Sequence, residues 1–136
     1  MSESNKAVIR KALEAYNAAD WDGFDAFFEP EYVHHNNADA LTLAQFKRGA
    51  AWLRVGMPDF QISIEDMVSE ADRVAVRITG RGTHRGSLFG ETPTSRPITV
   101  YGAVLYRLRE GKVAEDWESL DESQLRAQVE ADGEQR

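Results

Sequence analysis

Gly82-Thr83-His84-Arg85-Gly86-Ser87-Leu88-Phe89-Gly90-Glu91-Thr92-Pro93-Thr94-Ser95-Arg96 separates two runs that read as β-strands. The run before it, Val74-Ala75-Val76-Arg77-Ile78-Thr79, is rich in β-branched residues, and the run after it extends from Ile98 to Leu108. The glycines and the proline inside the stretch mark a long irregular connection rather than a tight hairpin. Gly82, Gly86 and Gly90 are expected to supply backbone freedom there. His84 and Arg96 are expected to fix the loop and its turns. The glycines open no helix, which argues against a phosphate-cradling loop.

Working outward, the chain places helical patterns before the loop and strand patterns around and after it. Ser4 reads as an N-cap, and Val8, Ile9, Ala12, Leu13 and Tyr16 recur at helical spacing, predicting a helix from about Asn5 to Ala19. A short second helix presents Phe24, Phe27 and Phe28 and stops before Pro30. Glu31 to His35 reads as a short strand or extended edge, and Asn36 to Asp39 as a loop. A third helix is expected from about Thr42 to Val55, ended by Gly56 and Pro58. Phe60, Ile62 and Ile64 alternate as a half-buried strand does. Further strands are expected over Arg73 to Arg81, Ile98 to Arg109 and Lys112 to Leu120. A short helix over Glu122 to Ala131 and a frayed Asp132 to Arg136 close the chain. Helices first and antiparallel strands after predict an α+β fold, with the helices packed on one face of the sheet.

The chain has 136 residues, which fits one domain over residues 1–136. Its formal net charge of -7 argues against a nucleic-acid groove and, less strongly, against an anionic membrane surface. The absence of cysteine excludes disulfides, thiolate nucleophiles and thiolate metal sites. No apolar run approaches the roughly 20 residues that span a bilayer. The N-terminal residues show no signal-peptide core, so a soluble, cytoplasmic protein is expected.

The order G-T-H-x-G-x-x-x-G-x-x-P-T-x-R, set between two strands, resembles the SnoaL-like polyketide cyclase (ester cyclase) family. The resemblance implies a nuclear-transport-factor-like architecture: a cone-shaped α+β barrel over about residues 6–130. In it, a curved antiparallel sheet and N-terminal helices enclose a pocket. It also implies a homodimer through the sheet.

Candidate site residues cluster on the last strand. Asp116 and Glu118 share one face, while Glu115 and Trp117 share the other. Two acids on one face repel when both are ionised, and burial there would raise at least one pKa. A solvent-washed edge is the alternative reading. The family carries an acid near the middle of this strand, often in a His-Trp-Asp-like run. Asp116-Trp117-Glu118 stands in that place, so Glu118 takes the catalytic acid's position and Asp116 that of the frequent histidine.

His34 and His35 are the next candidates, and alternation allows one of them into the pocket. The run resembles the family's Tyr-Val-x-His-Asn, which favours His35. Tyr16 and Asn17 match an aromatic-Asn pair of the family, and Tyr16 is a candidate donor to a substrate oxygen. Trp52 and Phe46 supply apolar wall or core. Gly102 and Val104 make an apolar, roomy face where some family cyclases carry polar side chains. No HxH or HExxH spacing is present, and adjacent strand histidines do not converge on one ion, so no metal is expected. A Ser-His-Asp arrangement using Ser87 or Ser119 lacks a nucleophile elbow.

Taken with these residues, the resemblance implies a cofactor-independent enzyme that closes a ring by intramolecular aldol chemistry on an apolar or polyketide-like small molecule. Glu118 first and Asp116 second would act as the carboxylate base, with His35 or Tyr16 hydrogen-bonded to the developing oxyanion. An isomerase or hydrolase on the same fold, and a non-catalytic small-ligand-binding protein, stay open.

Overall fold

Helix α1 (Ser2–Asn17) buries Ile9, Ala12, Leu13 and Tyr16 along one stripe, as their spacing requires. The computed structural model describes residues 2–134. The helix starts ahead of the expected cap, so Ser4 lies within its first turn. It ends where the Asp20 N–H donates to Ala15 O at 2.9 Å and the Ala19 N–H to Tyr16 O at 3.0 Å. Ala19 has φ +55° there, the left-handed conformation that closes such helix ends.

Helix α2 (Trp21–Asp25) is capped by Asp20, whose side chain accepts from the Gly23 N–H. It is shorter than expected. The Val113 N–H donates to Phe27 O at 2.8 Å. This draws the chain into the sheet, and Phe28 opens strand β1 (Phe28–Asn36). Pro30 falls inside that strand, at the register irregularity between Phe28 and Val33 where no ladder donor is needed. The expected loop from Asn36 to Asp39 narrows to the turn Asn37-Ala38, since Asn36 ends β1 and Asp39 opens β2 (Asp39–Leu41), which pairs back on β1. Helix α3 (Leu43–Gly56) starts with a reciprocal Thr42–Gln45 capping box.

Strands β3 (Gln61–Glu70), β4 (Arg73–Thr83), β5 (Pro97–Arg109) and β6 (Lys112–Leu120) form an antiparallel meander. Helix α4 (Glu122–Glu134) follows, continuing through Asp132 to Glu134, which were expected to fray; Gln135 and Arg136 lie outside the described residues. The sheet order is β2-β1-β6-β5-β4-β3. The expected antiparallel sheet is corrected at one seam, because β1 and β6 run parallel and the curved sheet is mixed. No hairpin joins these two strands, which come from opposite ends of the chain, so a turn does not dictate their direction. The fold class is α+β. Helices α1 to α3 cover the inner face of the sheet, and the core lies between them. Among the described residues, no helix is long and apolar enough to cross a membrane.

The loop between β4 and β5 is built as its residues suggest. His84 is fully buried; its N–H donates to Arg96 O at 3.0 Å, and its carbonyl accepts from the Ser95 N–H at 2.8 Å. Gly86 is required by close approach, since a Cβ there would lie 2.0 Å from Val55 O.

Candidate active site

The parallel seam sets opposite each other two residues that are 82 apart in sequence. In register, His34 faces Asp116 and Asn36 faces Glu118. Alternation then places Tyr32, His34 and Asn36 of β1 on the same side as Asp116 and Glu118 of β6. That side lines a cavity of about 240 Å³. Phe24, Phe28, Phe46, Phe60 and Leu13 make its apolar walls.

The polar groups form one chain of contacts. The Tyr32 hydroxyl donates to Asp116 Oδ2 at 2.6 Å, and His34 Nδ1 lies 2.6 Å from Asp116 Oδ1. His34 Nε2 stands 3.6 Å from Glu118 Oε1. Burial alone pulls the His34 pKa down, but hydrogen bonding and charge from Asp116 and Glu118 outweigh it and raise the pKa to about 9. Burial pushes Asp116 up as well, against the pull of His34 and Tyr32. With its pKa near 9, His34 carries its second ring proton at neutral pH. With both ring nitrogens protonated, Nδ1–H donates to Asp116 and Nε2–H is aimed toward Glu118. Tyr32 is raised far above its ordinary value, first by burial and then by Asp116, and stays a donor.

Tyr16 also lines the cavity, its pKa pushed up to about 12 by burial. The Arg54 guanidinium holds the end of this helix by donating to Tyr16 O at 2.6 Å, and lies over the Tyr16 ring. Asn17 turns away and bonds the β3 backbone at Ile62 in both directions, at 2.8 and 2.9 Å.

The expected residues divide as follows. Glu118, Asp116, Tyr16, His34, Phe46, Trp52 and Val104 line the cavity. His35 does not, and its expected place is corrected. It lies on the outer face, with Nε2 at 2.6 Å from Glu115 Oε2 and its ring stacked on Trp117. The burial of Tyr32 two residues before His34 sets this parity. Gly102 is also corrected: Leu120 covers it, and a Cβ there would lie 3.0 Å from Leu120 Cδ1.

The sequence reading missed Tyr32, Asn36 and Tyr106, all in the cavity wall. Tyr32 was recoverable from alternation, being two residues before His34. Asn36 reads from the sequence as part of a loop, and pairing with β6 places it in β1. Among the described residues, no cluster of three or more His, Asp or Glu side chains is placed to hold a metal ion.

The family model for SnoaL-like polyketide cyclase matches residues 6–129. An aklanonic acid methyl ester cyclase, AcmA of Streptomyces galilaeus, is 27% identical over 82% of this chain and 81% of its own length. Two solved structures share the architecture. AclR of Streptomyces galilaeus, named as a candidate hydroxylase, has a TM-score of 0.89 at 26% identity, covering 96% of this chain and 83% of its own. IdmH of Streptomyces antibioticus, named as a candidate polyketide cyclase, has a TM-score of 0.85 at 25% identity, covering 93% and 98%.

Proposed function

Because this chain belongs to the SnoaL-like polyketide cyclase family, we propose that it closes a ring in a polyketide-like small molecule by intramolecular aldol chemistry. The observation that carries this reading is His34 standing between Asp116 and Glu118 inside an apolar cavity. Glu118 takes the acidic proton from a carbon flanked by carbonyls. The enolate then attacks a second carbonyl of the same molecule, forming a C–C bond. His34 Nε2–H donates its proton to the oxygen of that carbonyl as it becomes an alkoxide. The protonated Glu118, 3.6 Å away, returns its proton to Nε2 and restores both groups. Asp116 is held by Tyr32 and His34 and acts by keeping the imidazole protonated and oriented. The apolar walls fold the flexible substrate into an attack conformer. Conjugation in the substrate spreads the enolate charge, so the route needs no metal or organic cofactor.

Aklanonic acid methyl ester, the compound in the relative's name, is the first substrate to assay. Ring closure leaves its mass unchanged and alters its retention and absorbance. The Glu118→Gln variant is expected to lose about 10²–10⁴-fold in turnover with ligand affinity kept. Full turnover in that variant removes Glu118 as the base. Saturable binding without product, in the native protein and across related β-ketoesters, supports the ligand-binding alternative instead.

The family resemblance further supports a homodimer through the outer sheet face, where Trp117 is stacked on His35 and lies beneath Arg73.

A further inference from the structure

The loop between β4 and β5 is pinned along its base and strained at its tip. The N–H groups of Arg85 and Gly86 donate to Gly56 O at 3.0 and 2.9 Å. Leu88 is buried over Gly56 so closely that a Cβ on Gly56 would lie 2.1 Å from Leu88 Cγ. Beyond Leu88 the chain reverses. The Glu91 N–H donates to Leu88 O at 2.8 Å, closing a four-residue turn with Phe89 and Gly90 at its centre. Their φ angles are +52° and +76°. Two positive central φ values are the mark of a type I′ turn, which favours Asn-Gly. Gly90 fits this preference. Phe89 does not, because a bulky side chain at positive φ carries strain that the surroundings must hold.

The ring of this strained residue sits at the cavity mouth. The residues that both line the cavity and are exposed are Gly49, Trp52 and Glu122, so the opening lies between α3 and α4. Phe89 lines the cavity beside them. Its ring meets Trp52 of α3 edge-on at 5.3 Å, and the Arg126 guanidinium of α4 lies 4.1 Å from its centroid. One side chain thus spans the opening from helix to helix. A Cβ on Gly90 would meet nothing within 4 Å, so the turn has open space beside it.

We propose that Phe89 is the specificity-determining gate of the cavity: a ligand enters only when its ring leaves Trp52 and Arg126. The strain lies in the backbone φ of Phe89, so it offsets the cost of opening where the tip of the turn moves together with the ring. The loop base stays fixed, so the width cleared by one ring sets the cross-section of apolar molecule that passes. This role is independent of the reaction inside and is tested without turnover.

The probe is N-phenyl-1-naphthylamine, a neutral apolar fluorophore, followed by stopped-flow fluorescence. Phe89→Asn removes the ring and supplies the residue that the turn prefers. Association and dissociation rates are both expected to rise about tenfold, because a gate acts on passage in both directions. The thermal midpoint is expected to stay level or rise, since the strain is relieved. Arg126→Gln, at an exposed site, is expected to accelerate both rates by a smaller factor. Rates equal to those of the native protein overturn the gate. So does a rise in dissociation alone together with a lower midpoint, the signature of an ordinary wall residue. Absence of saturable binding to the native protein and both variants overturns it too.

Discussion

At the scale of single residues, the decisive object is the proton held by His34 and Asp116. His34 titrates at about 9 in the folded chain, against 6.5 for an unperturbed histidine. The folded chain binds that proton more tightly than the unfolded chain does. The resulting stabilisation is fully present below pH 6.5 and is lost as pH rises toward about 9. Asp116, also raised, works in the same direction at more acidic pH. Denaturant titrations are therefore expected to show stability falling by on the order of 2–3 kcal/mol across the His34 window, with the fall much reduced in His34→Gln. An Asp116→Asn variant removes the nearest opposing charge and leaves the burial, so the His34 midpoint is expected to drop by more than about one unit in an NMR titration. An unmoved midpoint removes Asp116 as the holder of that proton. The identity of this histidine was only half legible. Two adjacent histidines in a strand announce that one faces inward, but the choice depended on pairing with a residue 82 positions away.

At the scale of elements, the chain ends its helices by local rules that two substitutions expose. Ala19 closes α1 in a left-handed conformation that glycine adopts without penalty. Ala19→Gly is expected to stabilise the protein by about 1 kcal/mol, read as a shift in the denaturation midpoint. Gly86→Ala acts in the opposite sense. Its methyl group would meet the Val55 carbonyl at 2.0 Å, and both partners there are backbone, so the loop base must move. A loss of about 1–3 kcal/mol is expected, together with faster amide exchange at Arg85 and residue 86 as their bonds to Gly56 O weaken. Thr42 and Gln45 show what the chain announces openly, since a capping box needs only residues three apart. The early end of α2 shows the reverse. Phe27 and Phe28 suit a helix, but the Val113 N–H bonds Phe27 O and Phe28 pairs with Val113, so the helix stops and Phe28 enters the sheet.

At the scale of the whole molecule, the expectation of one domain becomes a single cooperative unfolding transition, the same by circular dichroism and by Trp fluorescence. Two separated transitions would divide the chain. The outer sheet face, with Trp117, Val68 and Tyr101, is expected to pair two copies. Light scattering at micromolar concentration should give twice the 15.3 kDa chain mass. Trp117→Asp should return it to the monomer mass with the far-ultraviolet spectrum unchanged. A monomeric native protein would sink this assembly and leave the cavity as it is.

The sequence by itself determined the α+β class, the existence and order of the meander strands, the family and the shared face of Asp116 and Glu118. All of these follow from local spacing, from alternation within a strand or from a contiguous motif. Only the tertiary structure decided that His34 rather than His35 enters the cavity, that β1 runs parallel to β6, and that the tip of the loop lies across the opening. The physical reason is common to the three. Each depends on which distant segments share a register or a surface, and no local preference encodes that.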